Sequence, residues 1–266
     1  MKKRLFLLVA VSLALNGYCQ LFKEYKECAF ERYYIKDYNG ALEYFNLVIG
    51  LNPTDTMAYF DRAMLKDHIK DYQGAIEDFT KGIEIDSSAV DNYFLRGIAK
   101  NQIKEYKDAI KDLTKTVQLE SSNADAYYQR GMAQEELHNL KEAIVDYSNA
   151  IEKRSSHVEA YTHRGWAKHQ LNNYTAAISD YQKAIAFDST YADVYYYRAQ
   201  TKSKLNNYKE ALKDADKAIE LDPNLIDFYF LRSELKLNLK QNDKACVDYN
   251  KYKALGGNKE LKILCR

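Results

Sequence analysis

Arginine and aspartate recur along the chain in six pairs, in each of which the aspartate comes sixteen positions after the arginine. The arginines are Arg62, Arg96, Arg130, Arg164, Arg198 and Arg232, and the aspartates are Asp78, Asp112, Asp146, Asp180, Asp214 and Asp248. A guanidinium and a carboxylate can pair through two parallel hydrogen bonds, and partial burial makes the loss of either partner costly. We therefore predict six structural ion pairs, formed within a repeating unit or across a junction between units. The alternative is an arginine ladder for acidic ligands, which is disfavoured because each arginine comes with its own acid.

The residue types that perform catalysis or hold metal ions form no recognisable motif. The sequence has no Gly-rich phosphate loop, no Gly-x-Ser-x-Gly elbow, no His-Glu-x-x-His helix and no Cys-x-x-Cys pair. No two of the five histidines lie four residues apart, so a metal site has no support. We expect a protein that is not an enzyme and that uses no cofactor.

The charges are almost balanced, with 39 Lys and Arg against 38 Asp and Glu. Three of the positive charges lie within the first four residues. The rest of the chain therefore lacks the excess of basic residues that binding to phosphate backbones requires. We expect no nucleic-acid partner.

The first residues resemble a targeting segment. Lys2, Lys3 and Arg4 precede the apolar run 5–15, whose eleven residues are too few for a transmembrane helix but suit a secretory signal. Small residues at Gly17 and Cys19 favour cleavage before Gln20. We predict a signal peptide over residues 1–19 and an exported protein of the periplasm or the extracellular space, with no membrane span after cleavage.

Two alternatives to this signal remain open. Cys19 could carry a lipid that anchors the protein in a membrane, although the bulky Tyr18 stands where lipoprotein signals place a small residue. The segment could also stay uncleaved as an anchor. The soluble exported form is favoured.

A repeat of 34 residues underlies nearly everything after this segment. Alanine recurs in unbroken register at Ala41, Ala75, Ala109, Ala143, Ala177, Ala211 and Ala245. The two prolines of the chain, Pro53 and Pro223, are 170 residues apart, which is five repeat lengths. Because only ten glycines join these two prolines as helix breakers, the composition predicts helices throughout.

This pattern resembles the tetratricopeptide repeat family, whose motif has an aromatic residue near its start, a small residue at position 8 and alanine at position 20. Position 8 here holds Ala29, Ala63, Gly97, Gly131, Gly165, Ala199 and Ser233. The repeats run over 22–55, 56–89, 90–123, 124–157, 158–191, 192–225 and 226–259, which is 238 of the 266 residues. The family's closing proline survives at Pro53 and Pro223, and serine replaces it in the four repeats between them.

The repeats predict an all-α fold. Each unit should form two helices of about a dozen residues around a polar turn, and small residues at positions 8 and 20 should let the two backbones approach closely. One such pair cannot bury its apolar stripe alone, so stacking of pairs predicts a right-handed α-solenoid of seven repeats. We expect a short C-terminal capping helix over residues 258–266.

The resemblance implies that the first helices line a concave groove in which ligands lie. Positions 5 and 9 of the repeat share one helical face because they are four residues apart. They supply the candidate protein-binding residues Phe60, Met64, Phe94, Ile98, Tyr128, Met132, Trp166 and Tyr196. The alternative is that several of them, above all those at position 5, pack between neighbouring helices. Family members that clamp a peptide C-terminus carry lysine at position 5 and asparagine at position 9, but Lys26 is followed by Phe30, so that clamp is absent.

Three cysteines remain if Cys19 leaves with the signal peptide. Cys28 takes a core position and is expected to be a small buried hydrophobic residue. Cys246 and Cys265 are predicted to form a disulfide, which in an oxidising compartment would close about twenty residues and add about 3 kcal/mol. The Ala-Cys-x-Asp-Tyr run around Cys246 also resembles the closing repeats of exported family members. Two free thiols are the alternative.

These observations predict a non-catalytic interaction scaffold of the bacterial cell envelope that binds a protein or an extended peptide in its groove. The alternative is a receptor for a small ligand or a glycan, or an accessory subunit that activates a cell-wall enzyme. In either case the repeats would supply binding rather than catalysis.

Overall fold

The computed structural model describes residues 20–261, so the predicted signal peptide over residues 1–19 lies outside the described residues. The described residues form fourteen helices and no strands. In chain order these are α1 (20–34), α2 (Tyr38–Leu51), α3 (Thr56–His68), α4 (Tyr72–Ile85), α5 (Val90–Gln102), α6 (Tyr106–Leu119), α7 (Ala124–Glu136), α8 (Leu140–Lys153), α9 (Val158–Gln170), α10 (Tyr174–Phe187), α11 (Ala192–Lys204), α12 (Tyr208–Leu221), α13 (Ile226–Asn238) and α14 (Asn242–Ala254). The expected all-α fold of seven helix-turn-helix repeats is confirmed.

Side chains cap the N-termini of four helices, α2, α3, α4 and α7. Asp37 accepts a hydrogen bond from the backbone N–H of Gly40 at 3.0 Å, and Asp71 does the same for Gly74 at 3.0 Å. Asn123 accepts from the N–H of Ala126 at 2.9 Å. Each cap satisfies a backbone donor that has no partner inside the helix, so it fixes where the helix starts.

One residue in each turn between paired helices adopts the left-handed conformation, with φ between 58° and 65°. These residues are Lys36, Lys70, Lys104, His138, Asn172, Asn206 and Lys240. The conformation lets the next backbone N–H reach back to the end of the first helix, as when Asp71 donates to the carbonyl of Lys66 at 2.8 Å. The second helix then returns along the first.

The chain divides into two compact units, 1–121 and 122–266. In the described part of the first unit, α1 to α6 form three helix pairs, and in the second unit α7 to α14 form four. Within each unit a helix packs against its partner in the repeat and against the next pair. The cores consist of buried alanines and single large side chains, such as Ala63, Ala75 and Phe79 in the first unit.

The small residues at positions 8 and 20 allow a close approach of the paired helices. The seven repeated alanines at position 20 are fully buried. At position 8, a Cβ added to Gly165 would lie 2.6 Å from the Tyr181 ring, and one added to Gly131 would lie 2.7 Å from the Tyr147 ring. A tyrosine therefore fills the space that glycine leaves free.

The prediction that a closing helix begins at Asn258 is wrong. Residues 258–261 are not helical, and the remaining predicted residues, 262–266, lie outside the described part of the chain. Gly256, with a φ of 93°, follows the end of α14. The backbone N–H of Lys259 then donates to the Tyr252 hydroxyl at 2.7 Å, while its ammonium lies 2.6 Å from Asp227. These side-chain bonds hold the segment against the last helix pair in a non-helical conformation.

None of the helices within residues 20–261 combines the length and the apolar character that crossing a membrane requires.

Candidate binding face

All six arginines form the predicted pair with the aspartate of their own repeat. Each arginine Nε donates to one carboxylate oxygen at 2.8 to 3.0 Å, and its Nη2 donates to the other. The six aspartates are between 2% and 5% exposed. In at least four of the pairs the remaining nitrogen, Nη1, donates to a side chain of the preceding repeat, as where Arg96 donates to Thr80 and Arg164 to Ser148, both at 3.0 Å. The pair therefore acts within a repeat while the same arginine also crosses a junction.

Two further columns of residues complete these ion pairs. Position 11 supplies a second cation, whose Nζ lies 2.7 to 2.9 Å from the same carboxylate, at Lys66, Lys100, Lys168, Lys202 and Lys236. Position 4 supplies a tyrosine ring 5.4 to 5.7 Å from each guanidinium. The arginines are thus enclosed by intramolecular partners, which argues against a ladder for acidic ligands.

The position-5 side chains pack between helices. Phe60 lies edge-on to Phe79 with 6.0 Å between ring centroids. Tyr128 lies 4.9 Å from His157, and Tyr196 stacks on Phe228 at 4.9 Å. Burial raises the pKa of Tyr128 and of Tyr196 above the ordinary value. The packing alternative therefore describes these three residues, and Phe94 is likewise partly buried.

Two of the position-9 side chains, Met64 and Trp166, line cavities. Met64 is 41% exposed, and Ile98, Met132 and Trp166 are partly buried. Met64 lines a cavity of about 310 Å³ in the first unit, together with Phe30, Tyr33 and His68. The candidate residues are thus divided between the two units, with Phe60, Met64, Phe94 and Ile98 in the first and the other four in the second.

Trp166 lines a second cavity, of about 440 Å³, in the second unit. The indole stacks on His169 at 4.8 Å and lies 4.9 Å from the Tyr197 ring. Gln200, Lys204 and Glu234 join it in the wall, so three first helices in succession, α9, α11 and α13, supply the lining. The Gln200 side-chain oxygen is buried and has no hydrogen-bond partner among the described residues.

His169 is the buried titratable group of this cavity, with 8% exposure. Its Nδ1 lies 2.7 Å from the Thr201 hydroxyl, which donates to the carbonyl of Tyr197 at 2.8 Å. Burial, with a smaller contribution from the Lys204 charge, lowers the pKa of His169 to about 4. The imidazole is therefore neutral near pH 7 and forms a flat, uncharged support for the indole.

A second polar cluster lies nearer the start of this unit. Glu135 accepts a hydrogen bond from the Tyr147 hydroxyl at 2.6 Å and lies 3.3 Å from His163 Nδ1. His157, only 3% exposed, has its Nδ1 3.1 Å from Glu159, and burial lowers the pKa of His157. Glu135 thus pairs with Tyr147 and His163, and His157 pairs with Glu159. Within residues 20–261, no group of side chains is arranged to hold a metal ion.

Models of the tetratricopeptide repeat match residues 192–225 and, separately, 58–88 and 124–155, and a model described as TPR repeat matches 165–206. Three of the matched segments coincide with the helix pairs α3–α4, α7–α8 and α11–α12, and the fourth runs from within α9 to the end of α11. The chain belongs to the tetratricopeptide repeat family.

Solved tetratricopeptide proteins share its fold. A tetratricopeptide repeat protein from Parabacteroides merdae is 18% identical, with a TM-score of 0.74 over 90% of this chain and 95% of its own. YrrB, described as having an unusual peptide-binding site, is 25% identical, with a TM-score of 0.58 over 74% of this chain and 97% of its own. A MamA structure is 22% identical, with a TM-score of 0.61 over 65% of this chain and 95% of its own. No curated protein matches this sequence.

A tetratricopeptide array is a scaffold for protein–protein interaction, because stacked repeats offer an extended surface for binding.

Cys246 is disulfide-bonded, whereas Cys28 is free and partly buried. Cys265, the predicted partner of Cys246, lies outside the described residues, so the pairing stays a prediction.

Proposed function

We propose that this tetratricopeptide protein is a non-catalytic interaction scaffold of the bacterial cell envelope. It binds an extended segment of another protein on the first-helix face of the second unit. By first-helix face we mean positions 2, 5, 9, 12 and 13 of α7, α9, α11 and α13. The observation that carries the proposal is the cavity of about 440 Å³ around Trp166 on this face.

The cavity has the features of a peptide contact. Trp166 is held by ring contacts with His169 and Tyr197, so little side-chain entropy is lost when a ligand packs on it. Tryptophan and tyrosine are over-represented among the residues that dominate binding energy. The unpaired Gln200 oxygen beside it offers an acceptor for a ligand N–H group.

An extended ligand fits the arrangement of the lining. Axes of packed helices lie about 8–10 Å apart, so a ligand that crosses α9, α11 and α13 spans about 16–20 Å. An extended chain advances about 3.3 Å per residue, so about six residues would follow this path. YrrB, which is described as having an unusual peptide-binding site, is similar to 74% of this chain. This similarity supports a peptide as the ligand class.

The proposed location rests on the sequence alone. The basic start, the apolar run 5–15 and the small residues before Gln20 are those of an export signal. Mass spectrometry of the intact protein recovered from the envelope should give a chain that begins at Gln20. A diacylated chain that begins at Cys19 would instead make the protein a lipoprotein.

The binding face can be tested by photo-crosslinking in cells. A photoreactive amino acid at Ser203, which lines the cavity, should trap a partner protein, and one at Lys183, exposed on the second helix α10, should not. Trp166→Ala should abolish the adduct formed from Ser203. The matched control Phe187→Ala truncates another aromatic residue, 49% exposed at the end of α10, and should leave the adduct in place. An adduct that survives Trp166→Ala would rule out this face as the binding surface.

A further inference from the structure

We propose that the segment bound on the first-helix face is basic, an extended peptide that presents lysine or arginine side chains. The inference rests on the proposed function and specifies the chemistry of its ligand. It follows from which charged side chains of the second unit pair with one another and which do not.

The four first helices of this unit carry eight lysines and arginines and seven acidic residues. Seven of the eight cations pair with the aspartates of the second helices: Arg130, Arg164, Lys168, Arg198, Lys202, Arg232 and Lys236. Among the described residues of these helices, Lys204 is the one lysine or arginine that is not used in this way. Seven of the eight cations therefore lie on the side of these helices that packs against the second helices.

The acidic residues lie on the other side of the same helices. Successive residues are about 100° apart around a helix, so positions 2, 9 and 12 lie about 140–160° from the arginine at position 7. Asp125, Glu159, Asp193 and Asp227 stand at position 2, Glu135 at position 12 and Glu234 at position 9. The near-neutral net charge of the chain thus conceals an acidic first-helix face.

Some of these carboxylates are already partnered. Asp125 pairs with Arg154, and Asp227 with Lys259. Among the described residues Glu159 pairs only with His157, whose pKa is lowered by burial, so this contact adds no full positive charge near pH 7. The face therefore keeps a negative charge in its central part, on α9 and α11.

Apart from the Lys204 ammonium at the C-terminal end of α11, the polar groups left open in this central part are acceptors. Asp193 makes no hydrogen bond or ion pair within the described part of the chain, and burial raises its pKa although His163 opposes the shift. The Gln200 side-chain oxygen, about two turns of helix beyond, also has no partner there. A ligand that complements this face must bring donors, and an ammonium or guanidinium group brings three to five of them with a positive charge.

Aromatic rings lie next to these acceptors. Tyr197 is 5.5 Å from Tyr196 and 4.9 Å from Trp166, which makes a continuous row of rings along α9 and α11. Burial and the Asp193 charge raise the pKa of Tyr197 to about 12, so the ring stays a neutral phenol. Ring faces attract cations, and arginines of this chain already lie 5.4 to 5.7 Å from tyrosine rings in six repeats.

The test uses the purified full chain and three fluorescent ten-residue peptides of alternating composition, Ala-Lys, Ala-Gln and Ala-Glu. Fluorescence anisotropy should show that the lysine peptide binds at least tenfold more tightly than the glutamine peptide, while the glutamate peptide does not bind. Affinity for the lysine peptide should fall as salt is raised, because exposed charges are screened. Asp193→Asn should lower the affinity for the lysine peptide at least threefold. Glu220→Gln, the same change of charge on the second helix α12, should leave it unchanged.

Preference for the glutamine or glutamate peptide would overturn the inference, as would equal effects of Asp193→Asn and Glu220→Gln or no binding of any of the three. None of these peptide-binding outcomes decides whether a crosslink forms from Ser203 or whether that crosslink depends on Trp166. If that crosslink persists, the proposed function stands with a ligand of different chemistry. If it too is lost, both proposals fail.

Discussion

A single buried carboxylate organises each repeat from the second to the seventh. Asp180 receives two hydrogen bonds from Arg164 and an ion pair from Lys168, all within 3.0 Å. The Arg–Asp spacing predicts the first partner, because six repeats keep both residues and the first repeat lacks both. The lysine at position 11 could not be singled out, because lysine is also common at exposed positions and periodicity alone does not tell the two apart.

Loss of Asp180 should cost more than loss of its equivalent Asp146. Asp146 accepts from Arg130, but its repeat carries Gln134 at position 11, so only one cation loses its partner in Asp146→Ala. Asp180→Ala leaves both Arg164 and Lys168 partly buried without their shared carboxylate. Breaking a buried pair costs about 3–5 kcal/mol, so we expect Asp180→Ala to lie at or above that range and Asp146→Ala below it. Urea unfolding of the two variants measures the difference. Equal losses would show that the lysine contributes nothing.

His169 should make stability fall in acid. Its folded pKa of about 4 lies below the ordinary value of 6.5, so below pH 6.5 the unfolded chain takes up the proton first. Stability is therefore fully present above pH 6.5 and falls as pH drops toward 4, by at most about 1.4 kcal/mol per pH unit from this group. His169→Gln should flatten the decline of unfolding free energy across that window. His138→Asn, at an exposed turn residue with positive φ, is the control and should keep the wild-type slope.

At the level of helices, close approach makes the same substitution act in opposite directions. In Gly165→Ala the new Cβ would lie 2.6 Å from the ring of Tyr181, which is fully buried and cannot move aside. Overpacking of this kind costs about 1–3 kcal/mol. Gly50, in α2, has no atom within 4 Å of an added Cβ, so Gly50→Ala should stabilise by up to about 1 kcal/mol through helix propensity. Denaturation midpoints that move in the same direction for both variants would contradict this account.

The number, order and pairing of the helices follow from the sequence, because alanine and aromatic residues return every 34 residues. Two features of the elements do not. Asn258 begins a stretch that could be helical, but Lys259 instead bonds to Tyr252 and Asp227, and such contacts depend on tertiary structure. Likewise, periodicity places Tyr128 and Trp166 on one face without showing that the first packs between helices while the second lines a cavity.

For the molecule as a whole, a net charge of +1 conveys little about binding. Binding depends instead on how charge is divided between the two sides of the first helices in the second unit. There, aspartates of the second helices pair with seven of the eight cations of the first helices. The spacing of the arginines and aspartates in the sequence predicts structural pairs and no more. Their consequence for the opposite face emerges only when the lysines are assigned to the same carboxylates and the remaining acids are located.

The predicted export agrees with the predicted disulfide between Cys246 and Cys265, because disulfides persist in an oxidising compartment. Cys246 is disulfide-bonded, and we predict Cys265 as its partner. A bond that closes about twenty residues adds about 3 kcal/mol, so addition of reductant should lower the melting temperature of the oxidised protein by several degrees. Cys246→Ser and Cys265→Ser should each melt at the temperature of the reduced wild type and lose the response to reductant. Cys28→Ser, which removes the free thiol, should keep that response in full. If Cys265→Ser still responded to reductant, Cys246 would be bonded to another cysteine, and Cys19 would then have to remain on the mature chain.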